Sequence, residues 1–145
     1  MLKVVAFVAA ILIAAGMQTG FADEKEEVAD VLEQIQGDWE QRLGKIRVEK
    51  HVDGNTETSI VFNELGEVVR EQTSVFKIQK LGDFFVLSWK DAQVTGGAAR
   101  GQRIPNGTIV FRLRDGKWHC AEGFSSDEFF SPSFGVWHRP EVREP

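Results

Sequence analysis

The sequence predicts an all-β fold, a small up-and-down barrel of about 7–8 strands with one N-terminal helix. Three observations predict it. Gly37-Asp38-Trp39 stands where a helical period gives way to a strand period. Beyond it, short alternating segments recur between turn signals, with almost no helical patterning. Among those turns, Asp115-Gly116 between two alternating runs is the strongest hairpin signal in the chain.

The helix is expected over about 24–35. Val28, Val31, Leu32 and Ile35 fall at i, i+3, i+4 and i+7 and make one apolar stripe. Asp23 and Glu26 have the spacing of a capping box, acids crowd the positive end of the helix dipole, and Gly37 suits the stop. A helix this short is marginal alone in water, so its stripe needs something to pack against, and a barrel mouth or flank would serve.

The period then becomes two. Ile46, Val48 and Val52 alternate with Lys45, Arg47, Glu49 and His51. Asp53-Gly54-Asn55 turns the chain, and Thr58, Ile60 and Phe62 continue beyond it. Asn63-Glu64-Leu65-Gly66 turns it again into a long strand from Val68 to Ile78. Leu81-Gly82-Asp83 leads into Phe84 to Val94, where Phe85, Leu87 and Trp89 share a face. Gly96-Gly97 and Ile104-Pro105-Asn106-Gly107 bracket a loop or irregular edge. Ile109, Phe111 and Leu113 lead to the Asp115-Gly116 hairpin, and Trp118, Cys120 and Glu122 share one face of the return strand. Residues 124–133 read as loop, Phe134 to Arg139 as a closing strand, and 141–145 as a tail.

Residues 1–22 read as a secretory signal peptide rather than part of the fold. Lys3 precedes an unbroken apolar run of twelve residues, Val4 to Ala15, and Gly20-Phe21-Ala22 offers a small-residue cut before charged Asp23. The run is shorter than the roughly 20 apolar residues that span a bilayer. The mature portion, with the barrel domain over 23–140, is therefore expected to be exported, periplasmic or extracellular, without membrane insertion. Only Lys3 among the 17 basic side chains lies in the leader, which leaves 16 against 22 acidic, a net charge of −6. An acidic domain repels phosphate backbones, which argues against nucleic-acid binding, and it is not drawn to anionic lipid. Cys120 is the sole cysteine, so no internal disulfide forms and the core alone must hold the fold. The chain has eleven Phe and four Trp, all but Phe7 and Phe21 outside the leader, and these can supply that core.

In order and spacing the chain resembles the lipocalin-like domains of exported bacterial proteins of planctomycete type, within the lipocalin superfamily. The resemblance runs from about Ile35 to Arg139. It rests on Gly37-Asp38-Trp39 after the helix, on Val94-Thr95-Gly96-Gly97 leading through Gly101-Gln102 to Pro105, on the Asp115-Gly116 hairpin and on Val136-Trp137-His138-Arg139. It implies a barrel base built on Gly37 and Trp39, with an arginine packed across the tryptophan. Arg139 is the positional candidate, with Arg112 and Arg114 as rivals. The chain departs from secreted lipocalins in its lack of disulfides and its shorter connections.

No motif of catalysis stands out. Ser125-Ser126-Asp127 lacks a nucleophile elbow and a histidine placed as base, and no phosphate loop or dinucleotide fingerprint occurs. His119-Cys120-Ala121-Glu122 suggests a metal, but on a strand His119 points away from Cys120 and Glu122, and no second cluster completes a site. The expectation is therefore no enzyme, no cofactor and no metal. A barrel of about eight strands is filled by side chains or holds one small ligand. The first reading is a barrel that binds a small hydrophobic molecule, with Trp89, Phe111, Trp118 and Glu122 lining the cavity. Glu122 would orient the ligand or pair with an inward base such as Lys50. The alternative is a protein-interaction or envelope-structural module with a filled barrel, in contact with an envelope protein through Phe129, Phe130 and Phe134.

Overall fold

The computed structural model describes residues 23–123 and 133–141, so the leader 1–22, Phe129, Phe130 and Ser125-Ser126-Asp127 lie outside the described residues. A helix, α1, spans 23–34. Eight strands follow: β1 (Gly37–Leu43), β2 (Ile46–Asp53), β3 (Thr56–Phe62), β4 (Val68–Leu81), β5 (Phe84–Gly97), β6 (Gly107–Arg114), β7 (Lys117–Glu122) and β8 (Ser133–Trp137). They form one antiparallel sheet in chain order, the up-and-down topology expected. The sheet curls nearly shut. Glu40 and His138 exchange backbone hydrogen bonds of 2.8 and 2.9 Å, which join β1 to the end of β8. It is a small all-β, lipocalin-like barrel with an N-terminal helix.

The β4 and β5 strands outrun the sequence reading at Leu81 and Gly97. The register between them shifts twice, and Asp91 takes φ +53° at one irregularity, so β5 changes parity after Trp89 and buries Ala92 and Val94 next. A single alternating frame could not carry both halves of that strand.

One end is closed. Val31 of α1 and Ile35 just beyond its end are buried in the same cluster as Trp39, Val52, Phe76, Leu87, Phe111 and Trp118. Trp39 and Trp118 meet edge to face, with ring centres 5.6 Å apart, and Phe111 packs on Trp118 at 5.2 Å. Three sets of polar contacts pin the helix over this floor. Trp39 Nε1 donates to Ile35 O at 2.7 Å. Gln36 Oε1 accepts from Gly54 N in the β2–β3 turn at 2.7 Å. Lys80 on β4 pairs with Glu27.

Arg139 supplies the base contact. Its guanidinium lies 3.8 Å over the Trp39 ring and donates to Gln34 O, Gln36 O and Asp38 O at 2.8, 2.6 and 3.2 Å. A fixed fork of donors thus satisfies carbonyls at the negative end of α1. Gly37 takes φ +88°, and a Cβ there would press on Arg139 Nη1 at 3.3 Å. The glycine is needed both for the backbone turn out of the helix and for the arginine's approach. Of the two rivals, Arg112 lies near Phe84 instead, at 5.9 Å, and Arg114 faces Asp115.

Candidate functional site

Above the apolar floor the interior changes character. The inward row of β2 is Val48, Lys50, Val52, and Lys50 is buried. On β3 the apolar alternates Thr58, Ile60 and Phe62 are only half-buried, while Glu57 and Ser59 are buried and line the interior with Val61. The hairpin explains this. With Gly54 and Asn55 as the turn, Asp53 pairs with Thr56 and Val52 with Glu57, so Glu57 inherits the inward face of Val52. On β4, Gln72 and Ser74 continue the polar wall.

These side chains leave a chamber of about 280 Å³. Gln41, Lys50, Glu57, Ser59, Gln72 and Ser74 make its polar wall. Val48, Val61, Trp89, Ile104, Ile109 and Trp137 make its apolar wall, with Glu122 beside Ile109 and with Leu43 and Arg70 at the rim. Other hollows, of about 290, 350 and 630 Å³, lie beside α1, on the outside of the sheet and along the β1–β8 seam. The chamber differs from these in being walled by inward-pointing side chains, with a packed floor beneath.

The charges inside are arranged, not scattered. Lys50 Nζ stands 3.0 Å from Glu57 Oε2, at an angle that makes an ion pair rather than a hydrogen bond. The ammonium also lies 4.5 Å from the Trp118 ring centre and 4.3 Å from that of Trp137. Ser59 Oγ donates to Glu57 Oε1 at 3.0 Å. Burial of a charge is tolerable only with such partners. Lys50 therefore pairs with Glu57, not with Glu122 as the sequence reading allowed. Glu122 makes no ion pair among the described residues, and its one polar contact there is Cys120 Sγ, at 3.6 Å.

The four ligand-lining candidates separate into two levels. Trp89 and Glu122 line the chamber. Phe111 and Trp118 belong to the closed floor, at 1% and 0% exposure, and are not part of the chamber lining. Trp89 is positioned by its Nε1, which donates to Pro105 O at 3.2 Å, and by Gly107, whose missing side chain makes room for the indole. The 98–106 loop folds back on β5 through Ile104 N to Ala92 O and Val94 N to Gln102 O, both 2.9 Å, which sets Ile104 into the chamber wall. Sequence reading missed Gln41, Lys50 as the partner of Glu57, Ser59, Gln72 and Ser74. The pairing register across the Gly54-Asn55 turn was the signal that could have found the β3 members.

Cys120 lies at the boundary between floor and chamber. Burial, and then the neighbouring Glu122 carboxylate, push its thiol from 9.0 up to about 11. A thiol held protonated by folding adds stability that is complete below pH 9.0 and lost as pH climbs toward 11. The expected loss is on the order of 2 kcal/mol over that window. Denaturant unfolding at successive pH values should show Cys120→Ala with a flatter profile than the parent above pH 9; parallel profiles would contradict the assignment.

Among the described residues no group of three or more His, Cys, Asp or Glu is placed to hold a metal ion, and no helix is long and apolar enough to cross a membrane. The fold and its interior define a small antiparallel barrel with an internal chamber, apolar below and polar above. No family model matches the chain, and no curated protein or solved structure matches it.

Proposed function

We propose that the protein is an exported binding barrel of the lipocalin-like kind that takes one small, mainly apolar molecule into its chamber, and that it is not an enzyme. The chamber carries this reading. A filled barrel would close its interior at native packing density, whereas here about 280 Å³ stays open between Trp89, Ile104 and Ile109 and the polar wall. That volume lies just under the roughly 300 Å³ lower bound of small-molecule pockets, so the occupant is smaller than a typical drug. An apolar wall with a few placed polar groups is the usual design of such a site. The leader pattern of residues 1–22 supports export.

Native mass spectrometry of the protein purified from its own host tests the reading. The expected result is a population carrying one small molecule. Repeated absence of an adduct, with no change of tryptophan emission on titration with small apolar alcohols, would overturn it. Leu65 and Phe134, 78% and 79% exposed at the open end of the barrel, would then favour the docking module as the second reading.

A further inference from the structure

The chamber holds polar atoms without a hydrogen-bond partner, and its carboxylate at Glu122 has no counter-charge among the described residues. Gln72 Oε1 is buried without a donor, and Glu57 Oε2 has only its ion pair with Lys50. The Glu122 carboxylate faces the same space with no cation beside it among the described residues. The positive charges are committed or peripheral. Lys50 is held by Glu57 and two indole faces. The Trp137 N–H is a neutral buried donor without a partner among the described residues, and Arg70 is out at the exposed rim. A half-buried carboxylate without a counter-charge is costly, and a ligand that brings a positive charge removes that cost.

On the reading that the chamber binds a small molecule, we infer that its occupant is a small organic cation, an amine on an apolar body. The ammonium pairs with Glu122 and the body lies against Trp89, Ile104 and Ile109. Three further features agree. The unpartnered acceptor Gln72 Oε1 discourages a carboxylate ligand, whose lone pairs would face its own. The indole of Trp89 offers a face to a cation within the same wall. The net charge of −6 on the chain without its leader raises the local concentration of cations rather than anions.

The experiment compares hexylamine, hexanol and hexanoate at pH 7 by calorimetry and tryptophan emission, on the chain without its leader. The amine should bind at least about tenfold tighter than the alcohol, with hexanoate weakest. Glu122→Gln should erase the amine's advantage while leaving hexanol binding within about twofold. Equal binding of amine and alcohol, or a preference for hexanoate, would overturn the inference and leave the small-molecule reading standing. Binding by none of the three would overturn both. Should Glu122→Gln fail to fold, the ranking of the three probes on the unsubstituted protein still decides.

Discussion

Replacing Lys50 with methionine is expected to destabilise the barrel by about 3–5 kcal/mol, the cost of leaving one partner of a buried ion pair unpaired. The single substitution strands Glu57, which is 8% exposed and keeps only the Ser59 hydroxyl at 3.0 Å. It also removes the cation from between the Trp118 and Trp137 rings. Methionine itself fits the space well, being unbranched and close to lysine in volume. The loss therefore reports on charge and not on packing. Lys50→Met/Glu57→Leu should recover most of it, because exchange of a whole buried pair for apolar side chains is often neutral or better. Denaturant unfolding of the four proteins closes the cycle. Because the pair is shielded from solvent, its coupling should change little between low and high salt, unlike an exposed pair. A loss below about 1 kcal/mol in the single variant, or no recovery in the double, would show that Lys50 and Glu57 are not held together in the interior.

The closed end of this fold was legible in sequence because its physics is local. An apolar stripe at helical spacing, a glycine to turn out of the helix, and a tryptophan two residues on together predict a helix that leads into a barrel base and packs on its mouth or flank. Trp39, Ile35 and Arg139 meet there. The hairpin at Asp115-Gly116 was equally plain, since Asp115 and Gly116 both take positive φ, at 54° and 68°. The chamber was less legible. Sequence patterning assigns the apolar face of each strand to the interior, and β3 breaks that rule by turning Glu57 and Ser59 inward. A strand beside a polar chamber has no apolar inward row to reveal it. Only the hairpin register from Val52 to Glu57 carries the information.

The same limit separates Trp89 and Glu122 from Phe111 and Trp118. All four share inward parity on their strands, and parity cannot rank depth. Depth comes from the stagger of strands in a closed barrel. Trp118 pairs with Trp137 and Leu113 near the closed end, whereas Glu122 pairs with Ser133 toward the open one.

Gly107→Val is expected to cost about 3 kcal/mol, the upper part of the overpacking range, and to abolish binding in the chamber. Strand propensity alone argues the opposite, because valine is a better strand residue than glycine by up to ~1 kcal/mol. Gly107 also keeps an ordinary negative φ, so no backbone penalty obscures the result. The obstacle is the indole of Trp89. A Cβ on Gly107 would stand 2.5 and 2.6 Å from its Cη2 and Cε2, inside the contact distance of any two carbons. The ring must yield away from β6, and the chamber it lines is open space that can receive it. That movement breaks its hydrogen bond to Pro105 O and fills the space a ligand would take. Trp89→Ala supplies the control. In that background the obstacle is gone, so Gly107→Val should turn neutral or stabilising, a coupling of about 3 kcal/mol by the double-mutant cycle. Urea unfolding measures the cycle, and a hexanol titration measures the chamber. If Gly107→Val leaves stability and uptake unchanged with Trp89 in place, the indole does not stand where its contacts put it, and the chamber loses its wall.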